Sequence, residues 1–476
     1  MSVKYQPVIG LEVHAQLLTD TKIFCRCKNT YGAAPNSLTC PVCLGMPGTL
    51  PVLNKKAVEF AIKMGLATDC SIAGLSRFAR KHYFYPDLPK GYQISQYDEP
   101  LCYNGKILIR FNGTEKTIGI TRIHIEEDAG KSIHSYDNTQ VDFNRCGVPL
   151  IEIVSEPEMH SPEEAYAYLM KLKQILEYLE ICDCNMEEGS LRCDANISLR
   201  MVGQKKFGTK TEMKNMNSFR GVERALNYEI ERQTRILEEG RSITQQTMLW
   251  DEAKGEARSM RSKEESHDYR YFPEPDLVPL EVSEEWKNVV RENLPELPDQ
   301  KYQRFLNDFQ LRPYDASLLT ADRYLADYFE EVVNIINDPA MVSKWILGEI
   351  LRILSQNNLT SRQIPLAAED LGELLNLIKS GKITANIGKI VFDKMLTEHQ
   401  PAKIIIEREK LLAVSDDAEL MQIIRTIIAE NPNEVERYRA GANNLFGFFM
   451  GQVMKKTRGQ ANPNITSHLL KEALVA

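Results

Sequence analysis

The stretch VIGLEVHAQL, residues 8–17, governs how the rest of the chain is interpreted. It alternates as a β-strand does, because successive side chains of a strand point to opposite faces. Apolar residues occupy one face, whereas Glu12, His14 and Gln16 occupy the other. Burying such polar groups without partners costs free energy, so a bound metal ion or cofactor is expected beside them.

Four cysteines follow this strand in the pattern C-x-C-x12-C-x2-C. Four thiolates are the usual ligands of a tetrahedral structural zinc ion. Such a site has no open position for catalysis, so the predicted zinc is structural. Four unpaired buried cysteines are the alternative interpretation. The cysteines are Cys25, Cys27, Cys40 and Cys43.

The bulk properties are those of an ordinary soluble protein. The chain has 476 residues, 43% of them hydrophobic and 26% charged, and this length suggests about three domains. No apolar run is long enough to cross a bilayer, and the N-terminus lacks the layout of a signal peptide. We therefore expect a cytoplasmic protein with reduced cysteines. The net charge of −8 disfavours general coating of nucleic acid but permits a tRNA held by local basic patches.

Strand-like segments such as KILIRF, VPLIEIV and LRCDANISLR dominate residues 1 to about 290. Two helical patterns interrupt them. One begins at Ser161, a favoured N-cap residue, and the other stops at Gly240, a residue favoured just after a helix. Strands mixed with few helices predict an α+β fold with an open sheet covered on one side.

The composition changes at residues 272–299, which are rich in proline and acid and are predicted to form a linker or domain boundary. Everything after this segment has the pattern of amphipathic helices, and a break near residues 399–401 divides it. The predicted domains are residues 1–292, a helical middle domain at 293–400 and a helical tail at 401–476.

Acidic residues recur on several strand-like segments. They predict a sheet floor that binds hard cations, because Mg²⁺ prefers oxygen ligands and usually arrives with nucleotide phosphates. A solvent-facing sheet is the alternative interpretation. The sequence GKS at 130–132 is not a P-loop, since position 125 is isoleucine rather than glycine. The acids are Glu126, Glu127, Asp128, Glu152, Asp194 and Glu212.

The segment RKHYFYPDLPKGYQISQ, residues 80–96, combines lysines and tyrosines around two prolines. Such a loop can clamp a nucleotide, with Lys81 and Lys90 at the phosphates and Tyr83 and Tyr85 at the base. A packed surface loop is the alternative interpretation.

An ordered set of motifs connects these features to one family. It includes RCGVPLIEIVSEPE, LRCDANIS and EMKNMNSFR together with the segments quoted above. Over nearly its whole length the chain resembles the B subunits of bacterial glutamyl-/aspartyl-tRNA amidotransferases. The tail GANNLFGFFMGQVMKKTRGQANP resembles that family's helical tRNA-binding domain.

The resemblance implies a glutamine-synthetase-like cradle with a mostly antiparallel sheet, followed by two helical domains. It implies a carbon–nitrogen ligase that uses ATP and Mg²⁺ to phosphorylate the side-chain carboxylate of Glu or Asp mischarged on tRNA, which ammonia then converts to the amide. The four cysteines correspond to the family's zinc knuckle.

The resemblance also assigns roles to individual residues. The implied catalytic set is Glu12, His14, Glu127, Glu152, Asp194 and Glu212. Within that set, His14, Glu127 and Glu152 are the implied Mg²⁺ ligands. Strand parity favours Glu126 over Glu127, while the resemblance favours Glu127. The candidate contacts to ATP or phosphate are Lys81, Tyr83, Tyr85, Lys90, Arg192 and Lys214.

The chain lacks the signatures of a glutaminase, because it has no Gly-Gly-Ser-Ser stretch and no promising cysteine nucleophile. Ammonia is therefore expected from another chain. The resemblance implies an amidase A subunit and a small C subunit, which form a heterotrimer that acts on mischarged tRNA.

Two other functions compete with this one. A ligase of the glutamine-synthetase type acting on a free amino acid would not need the basic-tipped helical tail. A non-catalytic zinc-containing RNA-binding adaptor would not need the repeated acids. The sequence leaves open whether Glu-tRNA(Gln) or Asp-tRNA(Asn) is the substrate.

Overall fold

The computed structural model describes residues 4–135, 137–260, 269–413 and 417–475. The chain divides into two compact units, Met1–Pro298 and Asp299–Ala476. The predicted domain limits at 292 and 400 stay predictions. The first unit contains the strands and the second is helical, so the predicted α+β fold followed by helices is confirmed.

The strands of the first unit are short except for those that build its main sheet. In chain order they are β1 (Tyr5–Gln16), β2 (Ser71–Ile72), β3 (Leu75–Ser76), β4 (Ala79–His82), β5 (Tyr92–Ser95), β6 (Cys102–Phe111), β7 (Thr114–Glu127), β8 (Lys131–His134), β9 (Thr139–Asp142), β10 (Pro149–Ser155), β11 (Leu191–Met201), β12 (Thr211–Lys214), β13 (Gln246–Asp251), β14 (Glu256–Ser259), β15 (Phe272–Pro273) and β16 (Leu280–Glu281).

Within the described residues, the main sheet has the order β14-β13-β12-β11-β1-β10-β7-β6-β2. Its pairs are antiparallel apart from β12 with β13, which run parallel. The opening stretch of the sequence is therefore a central strand, bordered by β10 and β11. A smaller sheet, β15-β4-β5, contains the lysine- and tyrosine-rich segment.

Helices cover the apolar face of the main sheet. They are α1 (Lys55–Ala67), α2 (Pro162–Tyr178), α3 (Phe219–Glu238) and α4 (Glu284–Glu292). The Ser161 hydroxyl accepts a hydrogen bond from the Glu164 backbone N–H, which confirms the predicted N-cap. Gly240 follows α3 with a φ of 74°, the left-handed conformation that glycine tolerates. The odd-numbered residues of β1 from Ile9 to Ala15 belong to the buried core beneath these helices.

The segment at 272–299 is folded, so its interpretation as a linker is wrong for most of its length. Glu274 accepts two hydrogen bonds from Arg80, at 2.7 and 2.8 Å. Leu280, Val282 and Val290 belong to the core of the first unit. The proline and acid content of this segment therefore did not predict its structure, because Glu274 has a basic partner elsewhere in the chain. The boundary between the units lies at the end of the segment, after Pro298.

The second unit is built from helices around two separate cores. The helices are α5 (Pro298–Asn307), α6 (Pro313–Thr320), α7 (Arg323–Ile336), α8 (Pro339–Trp345), α9 (Leu351–Gln356), α10 (Ala368–Lys379), α11 (Ala385–Glu398), α12 (Ala402–Glu409), α13 (Asp417–Glu430), α14 (Pro432–Arg439), α15 (Leu445–Lys456) and α16 (Pro463–Val475). A π-helical turn, Ile346–Ile350, joins α8 to α9. One core extends from Phe305 to Ile406 and the other from Leu420 to Leu474.

Helix α12 belongs to the first of these two cores, because Ala402, Ile405 and Ile406 are buried in it. A division at residue 400 would therefore pass through a packed group of helices. In the described part of the chain, no helix is both long and apolar enough to cross a membrane.

Candidate active site

The polar face of β1 forms the centre of the candidate site. His14 is paired with Glu152 of β10 on one side and with Arg192 of β11 on the other. Glu12 is paired with Asp194 of β11. Because residues opposite one another on neighbouring strands share a face, these side chains lie together on one floor.

A group of three potential metal ligands lies on this floor. His14 Nε2 is 3.5 Å from an oxygen of Glu126 and 3.4 Å from an oxygen of Glu152. One ligand atom from each of the three residues lies within 4.8 Å of the others. His124 Nε2 is a further neighbour, 3.3 Å from Glu152. One imidazole and two carboxylates can hold a divalent cation, and the two carboxylates are ligands that Mg²⁺ or Mn²⁺ prefers.

Glu126 and Glu127 lie on opposite sides of β7. Glu126 belongs to the group with His14 and Glu152. The Glu127 carboxylate instead forms a buried ion pair with Lys90 and accepts a hydrogen bond from the Ile94 backbone N–H at 2.9 Å. The structure therefore brings together His14, Glu126 and Glu152, and it does not bring Glu127 to them. Strand parity accounts for the difference.

Burial and charge act against each other in the titration of this group. Burial would lower the pKa of His14, but the hydrogen bond and charge of Glu152, aided by Glu126, raise it overall. Burial would raise the pKa of Glu152, yet the charges and hydrogen bonds of His124 and His14 hold it well below its usual range. Glu152 is therefore a carboxylate at neutral pH, as a metal ligand must be.

A second acidic group lies at the other end of the floor. Lys214 Nζ is 2.5 Å from Asp194 and 2.9 Å from Glu212, and these carboxylates raise the pKa of Lys214 against the effect of burial. Asn196 donates a hydrogen bond of 2.8 Å to Glu12. Burial and the charge of Glu152 raise the pKa of Glu12. The predicted residues Glu12, Asp194, Glu212 and Lys214 are therefore neighbours.

Arginine and lysine side chains border the metal-ligand group. Arg192 donates a 2.9 Å hydrogen bond to Asp128, whose charge raises the pKa of Arg192. The Nε atom of Arg192 is buried and has no hydrogen-bond partner in the described structure. Burial would lower the pKa of Lys81, but the charge of Glu126 helps to raise it overall. Both cations are suited to holding an anion over the floor.

The remaining predicted residues of the lysine- and tyrosine-rich segment have partners of their own. Lys90 pairs with Glu127. Tyr83 donates a hydrogen bond of 3.1 Å to Gln93, and its ring lies 6.0 Å from that of Tyr85. Tyr85 is 57% exposed. Lys81 Nζ lies 6.0 Å from the centre of the Tyr83 ring, so these two residues stay close together.

The four cysteines form a compact group of their own. One sulfur from each lies within 4.8 Å of the others. Hydrogen bonding by Cys25 lowers the pKa of Cys43 to about 5, although burial acts in the opposite direction. The backbone N–H of Cys40 donates to the Cys43 sulfur at 3.2 Å. These cysteines fit a tetrahedral zinc ion.

Residues that the sequence analysis did not single out lie beside the metal-ligand group and beside the cysteine group. His124 and Arg122 lie on the same face of β7 as Glu126, and alternation on that strand was the available signal. Lys22 is fully buried, with its Nζ 3.7 Å from the Cys43 sulfur. No pattern marks a lone lysine as buried, so Lys22 could be found only from the structure.

Comparison with known proteins agrees with this arrangement. A family profile described as the GatB/GatE catalytic domain matches residues 7–288, and one described as the GatB domain matches residues 327–474. The B subunit of the aspartyl/glutamyl-tRNA(Asn/Gln) amidotransferase of Caldanaerobacter subterraneus subsp. tengcongensis is 54% identical over 473 residues, which cover 99% of this chain and 100% of the relative. The chain belongs to this family.

Other members of the family are similar to this chain along their whole length. The corresponding protein of Thermoanaerobacter pseudethanolicus is 54% identical over 99% of this chain and all of its own. That of Syntrophotalea carbinolica is 53% identical over 100% of this chain and 99% of its own. The family predicted from the motifs is confirmed, and with it the enzyme class, one subunit of a tRNA-dependent amidotransferase.

Proposed function

We propose that this chain is the subunit that activates the side-chain carboxylate of Glu or Asp mischarged on tRNA(Gln) or tRNA(Asn). ATP supplies the phosphoryl group, and ammonia supplies the nitrogen of the amide. One observation supports this function most directly. The His14, Glu126 and Glu152 group is bordered by the cations Lys81 and Arg192.

The proposed reaction has two steps. The substrate carboxylate oxygen attacks the γ-phosphorus of ATP, and the bond from that phosphorus to the oxygen of ADP breaks. Ammonia then attacks the acyl carbon, inorganic phosphate leaves, and the nitrogen loses a proton. Both reactants of the first step are anions, so the site must offset their charge and align them.

Different residues of the site are proposed to offset these charges and to align the reactants. His14, Glu126 and Glu152 would hold Mg²⁺, which when bound offsets the charge of the phosphates. Lys81 and Arg192 hold the negative charge of the phosphoryl group or of the substrate carboxylate. Glu12, Asp194 and Glu212 with Lys214 border the nucleotide side of the floor. Lys214 already neutralises two of these acids, with its Nζ 2.5 Å from Asp194 and 2.9 Å from Glu212.

The zinc predicted at Cys25, Cys27, Cys40 and Cys43 has a structural role in this proposal. It would fix the loop between β1 and α1, whose Ile23 backbone N–H donates a hydrogen bond to the Gly147 carbonyl. The floor itself does not include the four cysteines. Zinc removal should therefore change the shape of the site, and it should lower the reaction rate only through that change.

The proposed complex contains an amidase A subunit that releases ammonia from glutamine and a small C subunit. The residues of this chain offer a floor for phosphoryl transfer, and the sequence offers no glutaminase signature. The helical tail is proposed to bind the tRNA.

The test is to mix the full chain and its partner subunits with Glu-tRNA(Gln), ATP, Mg²⁺ and ammonium chloride, and to assay Gln on the tRNA. ATP consumption should depend on the mischarged tRNA. Equal ATP consumption without tRNA, or no product with every component present, would contradict the proposal. Asp-tRNA(Asn) in a parallel reaction identifies the preferred substrate.

Glu152→Gln should reduce phosphoryl transfer by at least about a hundredfold, because it removes a charged ligand next to two histidines. Binding of tRNA, measured by filter retention, should stay at the wild-type level. Glu115→Gln is the matched control, since Glu115 is 59% exposed and pairs with Arg110 at the surface. Loss of tRNA binding in Glu152→Gln would make this residue structural instead.

A further inference from the structure

We infer that Arg122 binds the side-chain carboxylate of the amino acid on the mischarged tRNA, an assignment that rests on the proposed function. Arg122 lies on β7, two residues before His124, and alternation along the strand puts both side chains on the face of Glu126. The Arg122 side chain is 35% exposed, so a ligand can reach its guanidinium from the solvent. Arg122 is therefore part of the floor and open to a bound anion.

The guanidinium of Arg122 has hydrogen-bonding capacity that the described structure leaves unused. Its Nε atom is buried and has no hydrogen-bond partner. The acid that it faces is Glu152, whose Oε1 lies 3.9 Å from Arg122 Nη2, beyond the length of a hydrogen bond. Arg80 is a contrast, because its Nε and Nη2 atoms donate to Glu274 at 2.7 and 2.8 Å. A buried donor without an acceptor costs free energy, so an anionic ligand is expected at Arg122.

The strands on either side of β7 place no acid opposite Arg122. Its cross-strand partners are Val154 of β10 and Tyr103 of β6. The positive charge therefore lacks the opposing carboxylate of an ordinary cross-strand ion pair. A planar guanidinium with free N–H groups can hold a carboxylate by two parallel hydrogen bonds, which fix the orientation of the bound group.

Arg122 borders the metal-ligand group on the side away from the proposed nucleotide position. Glu152 connects the two, because its Oε2 faces His14 and its Oε1 faces Arg122. Strands β1 and β10 lie between β7 and β11, and β11 carries Asp194 on the nucleotide side. Three strand spacings amount to about 14 Å. An anion at Arg122 is therefore distinct from phosphates held over β11.

This separation suits the first step of the proposed reaction. The attacking carboxylate and the leaving ADP must lie on opposite sides of the γ-phosphorus for in-line transfer. A carboxylate at Arg122 approaches the metal-ligand group from β7, while the nucleotide approaches it from β11. The amide product carries no charge, so it cannot form the ion pair with Arg122. Arg122 therefore distinguishes the substrate from the product.

The test compares Glu-tRNA(Gln) with Gln-tRNA(Gln) as ligands of the complete complex, with its partner subunits present. Asp-tRNA(Asn) and Asn-tRNA(Asn) replace them where Asp is the preferred substrate. The wild-type complex should bind the mischarged tRNA more tightly in a filter-binding assay, and Arg122→Gln should abolish this difference. The variant should also lower kcat/KM about a hundredfold, because the carboxylate loses its charged partner. Its affinities for the product tRNA and for Mn²⁺ should not fall.

Rescue experiments separate binding of the carboxylate from a role in the fold. Arg122→Lys should recover part of the lost kcat/KM, because an ammonium keeps the charge but not the planar fork. Guanidinium ion, added to Arg122→Ala at concentrations that do not unfold the complex, should raise its rate by occupying the vacated space. Arg110→Gln is the matched control, since Arg110 lies on the neighbouring strand β6 and pairs with Glu115 at the surface. This control should keep the wild-type kcat/KM.

Wild-type kcat/KM in Arg122→Gln would overturn this assignment and leave the proposed function intact. Equal weakening of mischarged and product tRNA binding would overturn it too, because the carboxylate would then not be the group recognised. Loss of Mn²⁺ binding without rescue by guanidinium would make Arg122 a structural partner of Glu152 instead. A wild-type complex that forms no amide on either tRNA would overturn the proposed function itself.

Discussion

Glu126 and Glu127 are consecutive residues with different surroundings, because side chains on a strand alternate. One carboxylate lies with His14 and Glu152, and the other neutralises the buried Lys90. Two adjacent acids in a sequence can therefore have unrelated roles. Alternation along β7 puts them on opposite faces, and the register of β7 against β10 places His124 opposite Glu152, so that Glu126 lies on the face of Glu152.

Exchanging each of these acids for glutamine should give distinct results. Glu126→Gln should weaken Mn²⁺ binding at least about tenfold, measured by electron paramagnetic resonance, because a charged ligand is lost. Glu127→Gln should leave Mn²⁺ affinity near the wild-type value. It should instead destabilise the fold by about 3–5 kcal/mol, since the buried Lys90 loses its counter-charge. The opposite pattern would make Glu127 the ligand.

Lys22 should help the cysteine group to retain zinc. Its fully buried ammonium lies next to Cys43 and offsets part of the negative charge of four thiolates. Lys22→Met should accelerate the release of zinc to a chromogenic chelator by about tenfold. Lys28→Met is the control, because Lys28 is next to Cys27 in the sequence and is exposed. Equal release rates in the two variants would contradict a role for the charge of Lys22.

At the scale of single residues, much of the candidate site could be predicted from the sequence. Glu12 and His14 stand out in the sequence because their alternation with apolar residues is strict, and the structure places both on one floor. His124 did not stand out, because a single histidine in TIGITRIHI is compatible with many environments. Its proximity to Glu152 arises from strand pairing between distant segments, which no local pattern contains.

Local signals predicted the ends of helices well. Ser161 caps α2 and Gly240 follows α3, because capping depends on neighbouring residues alone. The same kind of inference failed at residues 272–299, where prolines suggested a linker. Arg80 is distant in sequence but binds Glu274 there, so no local pattern contained the partner that orders the segment.

The π-helical turn between α8 and α9 carries a buried acid with two basic partners. Glu349 lies 2.6 Å from Lys389 of α11 and 3.0 Å from Arg352 of α9. Burial would raise the pKa of Glu349, but these cations outweigh it and lower the pKa. The ion pairs therefore attach the turn to a neighbouring helix, and their contribution depends on the ionised carboxylate.

Glu349→Gln should destabilise the second unit by about 1 kcal/mol at neutral pH. Because the folded-state pKa is lowered, this contribution is complete above the ordinary glutamate value of 4.5 and disappears as the pH falls below it. In a Trp250→Phe, Trp286→Phe background, Trp345 fluorescence in urea reports on this region alone. A stability difference that does not shrink in acid would contradict the assignment.

On the scale of the whole chain, the two cores of the second unit predict where it tolerates truncation. Ending the chain after Ala413 removes the core from Leu420 to Leu474 and keeps α12 with the other core. This variant should stay folded and bind tRNA more weakly, while its Mn²⁺ affinity stays at the wild-type value. Ending the chain after Gln400 should also lower the thermal stability, because the buried residues of α12 are lost.

Filter binding of tRNA and thermal unfolding distinguish the two truncations. Unchanged tRNA affinity after removal of the tail would contradict its proposed role. Equal melting temperatures for the two shortened chains would show that α12 contributes little to the core that contains it.

The central position of β1 has a consequence for biosynthesis. Glu12 is paired with Val154 and Asp194, so both neighbours of this strand are translated far later. At ordinary translation rates the interval is on the order of tens of seconds. For that time the first strand leaves the ribosome with an apolar face and two unpaired edges, which are prone to aggregation. The strand therefore stays open to wrong pairing until β10 and β11 have been made.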